Sequence, residues 1–394
     1  MPRYVIDEAA LRRNLEILKG VSDRTGVKIL LAQKAYSCAA TYPLCARYLA
    51  GTTASSLFEA KHGHDSFGGE THVFAPAFIP EEMDELLGLV DHIVFNSPRQ
   101  VALYGEKAHA RGVSVGLRVN PEVSVAVTPA YDPCRPGSRL GTTRSTFNSE
   151  SSTLNLLDGL HFHCLCEQGV EELRTVLAGF EAKFGDLLPQ MKWVNFGGGH
   201  HITRADYDVA GLVALLQDFR ARHPHLSVYL EPGEAVALNA GTLEARVLEI
   251  QPPVGGVANA ILDVSAACHM PDVLEMPYTP RCTVERLRGC DVERLHGHLE
   301  ETSTPQHHNT TTTYPLYRFG GPTCLAGDVI GAYSFPQPLH EGDKVVFEDM
   351  AIYSMVKNNT FNGMNLPDIV LRHADGSEET LRRFGYGDFA ARLG

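Results

Sequence analysis

Lys34 follows the apolar run Val27-Lys28-Ile29-Leu30-Leu31-Ala32, with one glutamine between. A lysine delivered by the end of a buried strand is costly to keep charged. Loss of water lowers its pKa, and the neutral amine is the form that attacks a carbonyl. Taken alone, it also fits a stem lying along apolar surface with its charge in water. Asn195-Phe196-Gly197-Gly198-Gly199-His200-His201 follows a second apolar run. Consecutive glycines let backbone N–H groups approach a phosphate that side chains would block, although a tight turn needs them equally. Neither GxxxxGK[ST] nor GxGxxG occurs, which argues against ATP and dinucleotide chemistry and leaves a small phosphate ester. In Glu231-Pro232-Gly233-Glu234 two carboxylates leave a strand end together. One suits a protonated ring nitrogen and the other a substrate ammonium, with a plain turn as the alternative.

His161-Phe162-His163-Cys164-Leu165-Cys166 alternates, so period 2 puts both histidines on one strand face and both cysteines on the other. That division suits one tetrahedral metal site poorly, and no metal is expected. A histidine lying on a flat ligand, or packed in the core, fits better.

The elements that must carry these residues alternate. Short β-branched runs (His92–Phe95, Val113–Val119, Gly159–His163, Trp193–Phe196, Ser227–Leu230) are separated by amphipathic stretches such as SPRQVALYGEKAHARG. Alternation of this kind means a parallel sheet, and seven or eight units before about residue 245 fit a closed (β/α)8 TIM barrel, with ligands at the strands' C-terminal ends. Beyond Ala245, ARVLEIQPP, ANAILDVSA and KVVFEDMAIYSMV lie between Gly and Pro punctuation, which predicts a mostly β second domain. The expected division is 11–244 for the barrel and 1–10 with 245–394 for the β-domain. A long polar surface loop is expected over about 285–314, where HLEETSTPQHHNTTTTYP lacks core residues.

The chain has 394 residues, 44% hydrophobic and 21% charged, enough for a sizeable core and too long for a single small module. Lys and Arg number 34 against 47 Asp and Glu, a formal charge of −13, which disfavours nucleic acid and anionic membrane surfaces and suits a cationic ligand. No apolar run has membrane-spanning length, and MPRYVIDEAALRRN has no basic segment leading into an apolar one, so a cytoplasmic location is expected. Nine scattered cysteines, an odd number, fit reduced thiols better than a disulfide framework.

Lys34 after its strand, GLHFHCLCEQ, NFGGGHH, LEPGEAV, LDVSAACHMPDVLEMPY, GGPTCLAGDVIG and EDMAIYSMVKNNTFNG occur in this order along nearly the whole chain. Together they resemble the carboxynorspermidine/carboxyspermidine decarboxylases, pyridoxal 5′-phosphate (PLP) enzymes of the alanine racemase and ornithine decarboxylase superfamily. The resemblance implies an alanine racemase-like fold, a PLP-binding barrel joined to a C-terminal β-domain that takes up the N-terminal strand. It also implies a head-to-tail homodimer with shared active sites. By the same resemblance Lys34 matches the lysine that joins PLP covalently, and His163 the histidine that stacks on its ring. Gly197, Gly198 and Gly199 match the phosphate loop, Glu231 the pyridine-nitrogen partner and Tyr353 a tyrosine reaching the phosphate. Cys324 matches the cysteine inserted by the other subunit as a candidate proton donor. Arg118 and Arg139 resemble basic residues on the cofactor side.

Where ornithine and diaminopimelate decarboxylases carry arginine after EPG, this chain has Glu234. Exchanging a cation for an anion there favours a substrate amine. Glu234, Asp272, Asp328 and Cys324 are therefore the expected substrate contacts, and a small cationic carboxylated triamine the expected substrate. The implied reaction is PLP-dependent decarboxylation to norspermidine or spermidine in polyamine biosynthesis. Diaminopimelate, ornithine or arginine as substrate, a non-catalytic PLP-binding barrel, and a metal-dependent hydrolase using His161 and His163 are the competing readings.

Overall fold

Residues 2–149, 151–288, 291–299 and 314–394 are described in a computed structural model. They form two compact units, Arg12–Val236 and Met1–Leu11 with Ala237–Gly394. In the second unit β1 (Arg3–Asp7) opens the chain. The barrel strands follow: β2 (Lys28–Ala32), β3 (Gly51–Ala54), β4 (Glu70–Phe74), β5 (His92–Phe95), β6 (Ser114–Arg118), β7 (Gly159–His161), β8 (Trp193–Asn195) and β9 (Ser227–Leu230). They close in chain order into an all-parallel eight-stranded barrel, the expected fold class. Helices cover parallel strands from outside, so both strand faces must be apolar. In β2 only the leading Lys28 is exposed.

The helices are placed by local chemistry. Pro98–His109 starts where the Ser97 side chain accepts the Gln100 N–H and Pro98 presets the first turn, and it buries Val101, Gly105 and Ala108 on one face. Val209–Arg222 is capped by Asp208 and buries Leu212, Leu216 and Phe219. Between strands and helices, Phe196 stacks on Phe162 at 5.0 Å and meets Phe219 edge-on, while Phe162 reaches Phe180 at 4.6 Å. Truncating any of these fully buried rings to alanine is worth about 3–5 kcal/mol. At the strands' N-terminal end the interior is filled by Leu30, Val94, Trp193 and Tyr229. Gly116 and Gly159 make room there, since a methyl on either would overlap the Trp193 indole.

The second unit is a mixed sheet of β10 (Gly241–Ile250), β11 (Val257–Leu262), β12 (Cys282–Arg288), β13 (Asp291–His296), β14 (His298–Leu299), β15 (Leu316–Gly320), β16 (Val329–Ser334), β17 (Lys344–Glu348), β18 (Asp368–Arg372) and β19 (Glu378–Arg382). β1 lies antiparallel to β10 and parallel to β18, so the first strand of the chain completes this sheet. Tyr4 is buried there and its hydroxyl donates to the His269 carbonyl at 2.5 Å.

The polar loop expected over about 285–314 does not hold in its first part. β12 and β13 pair antiparallel from Thr283–His296 to Arg288–Asp291, and β14 pairs with β16. The polar residues line the outer face of a strand pair and, at Arg286, its inner face, where an ion pair to Asp343 takes up the charge. Arg294 Nε donates to Glu285 at 2.9 Å, Arg286 grips Asp343, and Cys282, Val284 and Leu295 face inward. Pairing satisfies the backbone whatever that face carries. Residues 300–313 of the expected loop lie outside the described residues.

Candidate active site

All the barrel residues singled out by chemistry emerge at the strands' C-terminal ends. Lys34 sits in the turn after β2, held where the Ala35 N–H reaches Ala32 O at 3.1 Å and the Gln33 N–H reaches Thr53 O at 3.1 Å. Among the described residues it makes no salt bridge. Solvent reaches its side chain, although protein groups crowd around it. Burial, and then the charge of Arg118, push its pKa down, with Glu231 pulling the other way. The neutral form becomes more accessible, as a nucleophilic amine requires.

Glu231 directly follows β9 and is buried. Its Oε2 lies 3.1 Å from His161 Nε2 at the end of β7, and its Oε1 accepts from Asn195 Nδ2 at 2.8 Å at the end of β8. Burial alone would raise its pKa. His161, His72 and Asn195 outweigh it and hold the carboxyl down at about 2. Glu231 is therefore an anion at neutral pH. Asn195 Oδ1 in turn accepts the Gly197 N–H at 2.8 Å, which ties the carboxylate to the glycine loop.

His163 lies beyond β7, and burial together with the charges of Lys34 and Arg118 keeps it neutral. Its Nδ1 accepts the Gly198 N–H at 3.0 Å, so its proton sits on Nε2. Arg118, the last residue of β6, donates to the His163 carbonyl at 3.1 Å while its guanidinium lies 4.5 Å over the Phe74 ring. The three glycines divide their work. Gly197 (φ +70°) leaves no room for a side chain, a Cβ there falling 2.7 Å from His163 Cβ, and Gly198 is pressed against the Glu231 carbonyl. Gly199 (φ +83°) adopts the left-handed region against Leu165. The first two amides orient Asn195 and His163, and among the described residues the Gly199 amide donates to no protein atom. Arg139 is exposed, its carbonyl accepting from Asn96 Nδ2 at 2.9 Å.

Glu234 is not the free anion that its place after EPG suggests. Its Oε2 lies 3.0 Å from Nε2 of His201, and Glu167, whose φ is +65°, completes a trio around that imidazole. Burial opposes protonation of His201, but Glu234 and Glu167 raise its pKa. The sequence reading missed this pair, because nothing in their spacing links two loops that only the pairing of β8 with β9 brings together.

In the other unit Cys324 is exposed and its N–H donates to Asn362 Oδ1 at 2.9 Å. Asp328 is buried, and its oxygens accept from Ser265 Oγ (2.9 Å), Thr323 Oγ1 (2.6 Å) and the Ala267 N–H (3.3 Å). It anchors the 320–328 strap rather than presenting an open carboxylate. Asp272 is ion-paired with Lys357, which also contacts Glu275. Tyr353 starts the short helix Tyr353–Val356 and is half-buried.

These features fit a phosphorylated pyridine aldehyde. The glycine loop leaves the Gly199 amide without a protein acceptor among the described residues, Lys34 makes no salt bridge among them, an anchored anion stands at Glu231, and a neutral flat ring at His163. Barrel and site thus define the class, a fold-type III PLP enzyme. The profile of the family described as pyridoxal-dependent decarboxylase, C-terminal sheet domain, matches residues 4–351, and the chain belongs to that family. It is a PLP-dependent carboxy-lyase.

Among its relatives, the carboxynorspermidine/carboxyspermidine decarboxylase of Campylobacter jejuni is 41% identical over 99% of this chain and 98% of its own. The carboxyaminopropylagmatine decarboxylase of a Synechocystis species is 39% identical over 100% and 95%. The crystal structure of the Campylobacter jejuni carboxynorspermidine decarboxylase with norspermidine superimposes with a TM-score of 0.86 at 40% identity, covering 100% and 99% of the two chains. Helicobacter pylori diaminopimelate decarboxylase, at 16% identity and a TM-score of 0.78 over 100% and 96%, shares the fold.

Proposed function

We propose that the chain removes the carboxylate of a carboxylated triamine, carboxynorspermidine or carboxyspermidine, releasing CO2 and norspermidine or spermidine in polyamine biosynthesis. The observation that carries this reading is full-length identity near 40% to enzymes of that name, one of them solved with norspermidine. PLP supplies the electron sink for the pair that the departing carboxylate leaves at Cα. Lys34 offers its amine for covalent attachment, and Glu231 holds a proton on the ring nitrogen. His163 would set the plane of the ring and the Gly199 amide would receive the phosphate, for which Tyr353 is the second candidate on the family resemblance. The reaction is completed by a proton delivered to Cα, for which Cys324 is the candidate.

Cys324 acts from a second copy of the chain in a homodimer, and the enzyme works in the cytoplasm. Glu234 and Asp272 receive substrate amines in place of His201 and Lys357, which occupy them in this structure. Arg139 lines the approach on the cofactor side.

A second reading rests on the Synechocystis relative, whose substrate ends in a guanidinium rather than an amine. CO2 release from carboxynorspermidine, carboxyspermidine, carboxyaminopropylagmatine, diaminopimelate and ornithine decides. The highest kcat/KM is expected for one of the first two, and preference for either amino acid overturns the triamine assignment. A methylene more or less is worth only about 1–3 kcal/mol, so both triamines should be turned over.

A further inference from the structure

We propose that His161 is a positioning residue for Glu231: its neutral imidazole donates Nε2–H to Oε2 and, with Asn195 on the other oxygen, aims an ionised carboxylate at the cofactor's ring nitrogen. The geometry is a buried three-member chain. His161 Nε2 to Glu231 Oε2 is 3.1 Å, Asn195 Nδ2 to Glu231 Oε1 is 2.8 Å, and all three residues are almost wholly buried. His161 Nδ1 is also buried and has no partner among the described residues, so the one hydrogen bond this ring makes goes to Glu231. An imidazole with a single partner, an acceptor, keeps its proton on the nitrogen facing it.

The packing fixes the ring. Phe74 stacks on His161 at 5.7 Å and 21°, and Arg118 presses on Phe74. The charges around the pair favour a neutral donor over a second cation: Arg118 from β6 and, when protonated, Lys34 after β2 oppose a charge on His161, His163 after β7 is itself neutral, and His72 from β4 adds to the field on Glu231. Burial lowers the His161 pKa, with Glu231 opposing. A neutral donor leaves the full negative charge on Glu231 for the ring nitrogen, whereas an imidazolium would neutralise it. Carboxylates that lose a donor in a buried setting bind protons more readily.

The test separates this role from packing. His161→Phe keeps a flat ring against Phe74 but removes the donor, and His161→Gln restores an N–H donor. Infrared difference titration of the cofactor-free proteins, with Glu231→Gln marking the band, reads the Glu231 carboxyl without any catalysis. The expected result is an ionised Glu231 at neutral pH in the parent and in His161→Gln, and a carboxyl taking up its proton at distinctly higher pH in His161→Phe. PLP dissociation should weaken by at least about tenfold in His161→Phe, with partial recovery in His161→Gln. If His161→Phe, folded by circular dichroism, leaves both the Glu231 titration and PLP affinity as in the parent, the proposal is overturned. The same holds if both substitutions shift them equally. Neither readout depends on which substrate the enzyme uses.

Discussion

The two ends of the barrel carry the same residue types and do different things with them. At the N-terminal end Lys28, Glu70 and His92 open their strands, and His72 follows two residues after Glu70. Lys28 pairs with Glu70, His72 Nε2 lies 3.0 Å from Glu70 Oε2, and the two imidazoles stack at 4.0 Å and 7°. At the C-terminal end Lys34, Glu231, His161 and His163 stand at or just after the ends of their strands, and here the lysine makes no salt bridge among the described residues while the carboxylate is propped from behind. The floor pairs its lysine and its acid with each other beside two stacked imidazoles near Trp193; the mouth keeps its carboxylate oriented by neutral donors. A lysine, an acid and two histidines therefore signify nothing until their partners are known.

The largest break in the comparison comes from the lysines. Lys34→Ala should lower kcat by on the order of 10^3-fold or more, whereas Lys28→Ala should leave kcat within about threefold and alter stability by under about 1 kcal/mol. Steady-state decarboxylation and urea melts read both. A Lys28→Ala enzyme as dead as Lys34→Ala would mean that the floor takes part in catalysis.

Glycines give the next contrast. Gly198→Ala drives a methyl into the Glu231 carbonyl and toward His163, and should cost about 1–3 kcal/mol of stability and also weaken PLP binding by roughly 100-fold in the protein that remains folded. Gly159→Ala meets the Trp193 indole instead, and should cost about 1–3 kcal/mol of stability while the protein that remains folded binds PLP normally. Fluorescence titration with PLP and thermal melts distinguish them, and reversed effects would contradict the division of labour.

Local features were legible in the sequence and long-range ones were not. Lys34, the glycine loop and Glu231-Pro232-Gly233-Glu234 are each written within a few residues, and strand–helix alternation was enough to predict the barrel. The link between His161 and Glu231 spans 70 positions and exists only because β7, β8 and β9 lie side by side. Both histidines of His161-Phe162-His163 were placed on one face, but not that one would hold a carboxylate and the other a glycine amide. Likewise the pairing of Glu234 with His201, of Asp272 with Lys357, and of Asp328 with Ser265 and Thr323 depends on tertiary closure. The strands within 285–299 were hidden because composition reports only side chains, polar here on both faces of the hairpin, whereas the backbone pairing that makes it a hairpin has no compositional mark.

The smallest effect concerns pH at the floor. Burial first, then the charge of His72, lowers the His92 pKa to about 3, against about 6.5 in an unfolded chain. The unfolded state therefore binds the extra proton between those values, so this stabilisation is complete above about pH 6.5 and is lost as pH falls toward 3. Glu70, held at about 2 by His72 and Lys28 against the effect of burial, adds a loss of the same sign below about pH 4.5. His92→Phe should flatten the decline in melting temperature between pH 6.5 and 4 without moving the pH profile of kcat. A shifted kcat profile would couple the two ends.

Reduction of the PLP-loaded enzyme with borohydride, followed by peptide mapping, tests the central claim most directly. Borohydride should abolish the visible colour and leave a single pyridoxyl group on the peptide carrying Lys34. A stable pyridoxyl group on Lys28 or any other lysine, or no covalent label on an enzyme that still releases CO2, would contradict it.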